Sequence, residues 1–263
     1  MKGEETMIDI QSEMQKLKIN VEFNIKKYYR KDIPEDFLNS FKEDNWLLSF
    51  PFNFSKLFGE DPDIIRKLAV INSLYIGTFL REDFLLDEYN ASVEIFGKGV
   101  RAYCFSRLLS ILAMRQYVYH CGEVILKYLL MYEEIYYAAL FKEKNMLPLS
   151  IHDGFVHSNL RFLGQKLLPL VTSFAGYCII IDKESLVPVC EEMIIDYHIA
   201  KQLYDDFVDI RNDFYKPDRS YLIKLISGSN ENRLLKIKDL HEFIIRNGLD
   251  FMITETMTGY LKN

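Results

Sequence analysis

An all-α fold is expected from three features of the 263-residue sequence. Seven Pro and 12 Gly are few for this length, which favours long helices over a strand-and-turn architecture. Apolar residues recur at helical spacing, as in Ile65, Leu68, Ala69, Ile71, Leu74, Tyr75 and Phe79. Residues 93–141 are largely apolar and aromatic, with charge at intervals (among them Lys98, Arg101, Arg107, Arg115, Glu123 and Lys127). The length is enough to bury a substantial core. No internal repeat, low-complexity segment or linker divides the chain, so residues 1–263 are expected to form one helical domain.

Composition narrows the function classes. Apolar residues make up 49% and charged residues 27%, which is globular rather than disordered. The net charge of −6 gives no sign of a nucleic-acid surface. Cys104, Cys121, Cys178 and Cys190 lack a CxxC spacing. With no signal peptide they are expected to be reduced, buried thiols of a cytoplasmic protein. No apolar run reaches the length of a membrane span, so no stable membrane insertion is expected.

Residues 1–20 carry a weak stripe of Ile8, Ile10, Met14 and Leu17, read as a marginal helix or a frayed arm. Pro34, Pro51 and Pro62 break residues 21–62 into short helices and loops. Asp61-Pro62-Asp63 is a helix start, with Pro in the first turn and acids near the positive end of the dipole. That helix is expected to run to about Asn90. Two or three buried helices follow over 93–141, then a connection over 142–153. Another helix is expected from about Gly154 to Ile181, interrupted near Ala175-Gly176. After Pro217 come a charged loop and a short amphipathic pair, with Gly228 and Gly248 as breaks.

The stretch Gln202-Leu-Tyr-Asp205-Asp206-Phe-Val-Asp209-Ile-Arg-Asn-Asp213 contains no helix breaker. In a helix, Asp205, Asp209 and Asp213 lie along one face about a turn apart. Carboxylates so placed repel one another unless a cation sits among them, and hard oxygen ligands suit Mg²⁺. A solvated acidic face is the alternative, although Leu203, Phe207, Val208 and Ile210 are interleaved with the acids. Asp83 and Asp87 repeat the four-residue step, 122 positions before Asp205. Alone they read equally well as an exposed helix end. Together the clusters point to metal ions gripping a diphosphate, beside a dry aromatic pocket that shelters a carbocation.

Gln202-Leu-Tyr-Asp205-Asp206-Phe-Val-Asp209 resembles the second aspartate-rich motif of the trans-isoprenyl diphosphate synthases, QxxDDxxD. Asp83-Phe-Leu-Leu-Asp87-Glu88 is similar to their first motif, with Phe84 in place of the second Asp, a form also seen in squalene and phytoene synthases. Ile95-Phe-Gly97-Lys-Gly-Val-Arg-Ala102 with Leu108-Leu109 resembles a further family segment, with Arg107 where Asp is usual. Lys166 falls where the family has the Lys of its KT motif, Leu167 replacing the Thr. The resemblance covers about residues 64–226. It implies an α-helical bundle of the isoprenoid synthase type with a central apolar cavity. It further implies Asp83, Asp87, Asp205 and Asp209 as catalytic residues, which with Asp206 and Asp213 hold Mg²⁺.

The departures are as informative. The chain lacks the GGKR-like segment and the Arg-Arg-Gly after the first motif, with which elongating members hold isopentenyl diphosphate. One-diphosphate chemistry is therefore expected, as in class I terpene synthases, although their usual second motif is not clearly present. The alternatives are a chain-elongating prenyltransferase and a non-catalytic partner subunit of one. Arg161, Lys166, Gln202, Lys216, Arg219 and Tyr221 are the candidate diphosphate ligands. A structural salt bridge is the alternative for Arg161, and an ordinary surface turn for Lys216 and Arg219. The expected partners are a prenyl diphosphate and a second copy of the chain in a homodimer. His120, His152, His157, His198 and His241 show no metal-ligand spacing and are expected to make polar contacts. Gly97-Lys98-Gly99 lacks the preceding strand of a phosphate loop.

Overall fold

A computed structural model describes residues 9–29, 32–39, 41, 45–58, 61–88, 96–145, 151–214, 220–228, 242, 244–246 and 248–262. Of these, residues 36, 53–58, 81–88, 96–102, 151–152 and 227–228 are described by their backbone alone. The described residues are mostly helical and contain no strand. In chain order the helices are α1 (Ile10–Lys26), α2 (Glu35–Asn39), α3 (Trp46–Phe58), α4 (Pro62–Glu88), α5 (Phe96–Cys121), α6 (Leu126–Lys144), α7 (Ile151–Gly154), α8 (His157–Gln165), α9 (Val171–Ile180), α10 (Val187–Val208), α11 (Ile210–Asp213), α12 (Tyr221–Gly228) and α13 (Leu249–Lys262). They group into two compact units, one of Met1–Leu130 with Thr172–Val187 and one of Met131–Val171 with Pro188–Asn263.

In the first unit the weak N-terminal stripe proves to be a packed helix. Met14, Leu17, Val21 and Ile25, spaced by three or four residues, are all buried on α1. Arg66 of α4 fastens this helix, donating from Nε and Nη2 to the two carboxylate oxygens of Glu13 at 2.8 and 3.1 Å. The guanidinium holds the Glu13 carboxyl below the usual range. α4 begins at the expected Pro62, and the Asp61 carboxylate accepts the Asp63 N–H at 2.9 Å. Its apolar face buries Ile65, Leu68, Ile71, Leu74 and Tyr75, whose ring meets those of Phe79 and Tyr117 edge-on.

The expected helix over 154–181 breaks elsewhere than at Ala175-Gly176. α8 stops at Gln165, a 3₁₀ turn runs over Leu168–Leu170, and α9 carries Ala175 and Gly176 in its interior. Pro169 supplies the physical reason, since it has no N–H to donate to the preceding turn. Gly176 is a packing glycine: a Cβ there would lie 3.1 Å from Cys121 Sγ and 3.4 Å from Leu68 Cδ2. Cys121, Cys178 and Cys190 are buried as expected, but Cys104 is exposed. Burial pushes the Cys121 thiol up to about 12 and the Cys178 thiol to about 11.

In the second unit α10 is the long element. Gly164 of α8 lets the two backbones approach, because a Cβ at that position would lie 2.4 Å from the Ile195 carbonyl oxygen. Ile194, Ile195, Ile199 and Leu203 form the buried stripe of α10.

Candidate functional site

The stretch from Gln202 to Asp213 forms the end of α10, a one-residue break at Asp209, and the single turn of α11. Asp209 sits at φ −90° and ψ 3°, in the sparsely populated bridge region, and its side chain makes no capping hydrogen bond. Helical bonds nonetheless span the break, from Asp209 N–H to the Asp205 carbonyl at 2.9 Å and from Asp213 N–H to the Asp209 carbonyl at 2.9 Å. The three aspartates therefore keep their turn-by-turn spacing. Their surroundings differ.

Asp205 is half-exposed and accepts a hydrogen bond from Lys201, one turn earlier. Asp209 is exposed, and Asp213 is half-exposed. Asp206 points the other way, with only 3% of its surface accessible. One carboxylate oxygen accepts from Gln202 Nε2 at 2.7 Å, the other from the Leu222 N–H at 3.2 Å. Burial raises its carboxyl to about 6 in spite of both bonds. Asp206 thus ties α12 to α10, and Gln202 orients it.

The basic candidates are also engaged. Arg161 of α8 donates from both terminal nitrogens to Glu192 of α10, at 2.7 and 2.5 Å. Lys166 donates to both oxygens of Glu143 at 3.0 and 2.9 Å, with both side chains largely buried. Tyr221 is fully buried, its hydroxyl donating to the Gly154 carbonyl at 2.7 Å and its ring edge-on to Phe162. Lys216 and Arg219 lie outside the described residues, as do the side chains of Asp83 and Asp87. The backbone places Asp83 and Asp87 in the last two turns of α4.

Comparison with family models, curated proteins and solved structures finds no match. The chemistry of the site therefore rests on its own residues. Among the described residues, no three His, Cys, Asp or Glu side chains gather into a group that could hold a metal ion. Mg²⁺ asks for less than that, taking one or two carboxylates with waters and substrate phosphate completing its shell. Asp209 is exposed, whereas the half-exposed Asp205 carboxylate already accepts from Lys201.

Sequence reasoning missed three residues, Glu143, Glu192 and Lys201. Glu143 and Glu192 reach their basic partners across 23 and 31 positions, a separation with no local signature. Lys201 was legible, since it stands four residues before Asp205 on one helix face. His198, expected to make a polar contact, instead keeps its buried Nδ1 without a hydrogen-bond partner among the described residues. Burial, with the charges of Lys166 and Lys201, pushes its imidazole down to about 3. His157 makes the expected polar contact, Nδ1 lying 2.6 Å from the Tyr260 hydroxyl, whereas the side chains of His152 and His241 lie outside the described residues. Among the described residues no single helix is long and apolar enough to cross a membrane.

Proposed function

We propose that this protein is a Mg²⁺-dependent class I terpene synthase, ionising one prenyl diphosphate and releasing pyrophosphate as the organic fragment cyclises or eliminates. The observation that carries this reading is how two long helices end. The 27-residue α4 closes on Asp87-Glu88 and the 22-residue α10 on Asp205-Asp206 and the break at Asp209, with no basic residue in either last turn; Lys201, one turn earlier, reaches Asp205, and Asp209 makes no ion pair among the described residues. The carbonyl end of a helix is already negative, so acids there are destabilising unless a cation accompanies them. Asp83 and Asp87 in the first unit, and Asp205 and Asp209 with Asp213 in the second, are the residues that would bind Mg²⁺ in this reading. Bound there, the metal supplies charge neutralisation for the departing diphosphate.

Asp206 acts in this reading through the fold, holding the end of α10 against α12. Arg161 and Lys166 would exchange Glu192 and Glu143 for diphosphate oxygens, with Lys216 and Arg219 as further cations. A central apolar cavity of the isoprenoid synthase kind would keep water from the carbocation. The carboxylates already paired with Arg161 and Lys166 favour a second reading, a non-catalytic partner subunit with both cations committed to the fold.

Incubation with ten-, fifteen- and twenty-carbon allylic diphosphates and Mg²⁺, with and without isopentenyl diphosphate, separates these readings. Pyrophosphate and an extractable hydrocarbon or alcohol from one allylic substrate alone is the expected result. A longer prenyl diphosphate made only when isopentenyl diphosphate is present would replace it with chain elongation. No pyrophosphate under any condition would leave the non-catalytic reading.

A further inference from the structure

The first unit contains a cleft of about 240 Å³ between α1, α4 and α5, lined by Asn20, Arg66, Lys67, Gln116 and His120 among others. None of these belongs to the proposed catalytic set. The nearby charges do not cancel. Glu13 is taken by Arg66 and Lys16, and Asp63 by Arg66 as well. Of the two cations lining the cleft, Arg66 is thus neutralised by Glu13 and Asp63, which leaves Lys67. Lys67 is exposed and makes no hydrogen bond or ion pair with a described residue. Arg115, one position before Gln116 on α5, donates to the Tyr28 hydroxyl instead.

The remaining polar groups are also available. The Gln116 and Asn20 side chains make no hydrogen bond among the described residues, whereas Asn24 is held by the Asn20 carbonyl at 2.8 Å. His120 packs edge-on against Tyr119, with ring centroids 4.8 Å apart. Val70 and Ile71 are the apolar residues of the lining. An ammonium, an imidazole and two amides, carried by three helices, thus belong to residues lining a space smaller than the clefts that take drug-sized ligands, about 300–1,000 Å³. Donors arriving from several directions suit a tetrahedral oxyanion better than the two coplanar oxygens of a carboxylate.

We propose that this cleft binds a phosphate-class oxyanion, as inorganic phosphate or the head of a small phosphomonoester, with Lys67 as the ion-pair partner and His120, Gln116 and Asn20 as hydrogen-bond donors. Desolvation, and secondarily the Lys67 charge, holds the His120 imidazole below its ordinary value, so at neutral pH it is uncharged and donates one N–H. An anion between the two groups reverses that pressure, which makes His120 its own reporter.

The test is a histidine NMR titration of the full chain, with the His120 resonance assigned through His120→Gln. Inorganic phosphate and glycerol 3-phosphate are each added at constant ionic strength, with chloride as the control. Either ligand should raise the His120 midpoint saturably while chloride does not, and the tighter of the two identifies the bare ion or the ester. In Lys67→Ala the unliganded His120 midpoint should rise and affinity for the ligand should fall about tenfold or more. Lys67 is exposed, so this variant should fold; Gln116→Ala provides a second, uncharged probe that should also weaken binding. The proposal is overturned if neither ligand moves His120 beyond the chloride control, or if Lys67→Ala responds as the wild type does.

Discussion

On α10, burial raises the Asp206 carboxyl to about 6 and pushes the His198 imidazole down to about 3, with opposite consequences for stability. Asp206 takes up its proton more readily folded than unfolded. Its contribution is complete below the ordinary 3.8 and is lost as pH rises through about 6. His198 stays neutral when folded. Its contribution is present above the ordinary 6.5 and is lost progressively as pH falls from there toward about 3. Between pH 4 and 6 the two slopes oppose each other. Thermal or denaturant melts should show this as a difference between variants and wild type. Asp206→Asn, whose amide can satisfy both Leu222 N–H and a flipped Gln202, should steepen the loss of stability in acid. His198→Leu should reverse that change, making stability relatively greater as pH falls from 6 to 4. Parallel pH profiles for all three proteins would contradict this account. Asp206→Ala, which orphans the buried Leu222 N–H, should cost about 1–3 kcal/mol.

Two glycines test the packing of the elements. Gly164→Ala would force a methyl against the Ile195 carbonyl oxygen, with 2.4 Å available, so α8 and α10 must separate. A loss of about 1–3 kcal/mol is expected from that overpacking. Gly259→Ala on α13 has no neighbour within 4 Å of the added methyl and should stabilise by up to about 1 kcal/mol through helix propensity. Opposite shifts in the melting temperature are the expected result; equal shifts would refute the close contact between α8 and α10. The same reasoning separates the acids on one helix end. Asp209 is exposed and caps nothing with its side chain, so Asp209→Ala should alter stability by no more than about 0.5 kcal/mol.

Activity belongs to the molecule as a whole. Under the proposed terpene synthase reading, Asp205→Ala and Asp209→Ala should each lower pyrophosphate release about 10²–10³-fold with the fold intact, by removing charge that would hold the metal and, through it, the diphosphate. Asp206→Asn should retain much of the turnover, since its carboxylate already serves Gln202 and Leu222. Circular dichroism alongside the assay distinguishes loss of chemistry from loss of structure. If Asp206→Asn abolished turnover while Asp209→Ala preserved it, the roles drawn from burial would be inverted.

The all-α character was legible in the sequence because helix formation is governed locally, by apolar residues at helical spacing and by starts such as Asp61-Pro62. The acidic stripe was legible for the same reason, since turn-by-turn spacing follows from helix geometry, and it survives the break at Asp209. Which way each acid faces was not legible. Asp205 and Asp206 are adjacent and identical in type, and only the packing of α12, with its Leu222 N–H, draws Asp206 inward. The fate of Arg161 and Lys166 was decided in the same way, by carboxylates on helices 31 and 23 positions away. Pro169 accounts for its break through local chemistry alone, whereas the role of Gly176 is visible only from the sulfur and methyl group lying against it. Periodicity along the chain thus determined the elements and the acidic stripe. Contacts between helices far apart in sequence decided which polar residues are spent on the fold and which remain open to a ligand, because burial and long-range pairing leave no local pattern.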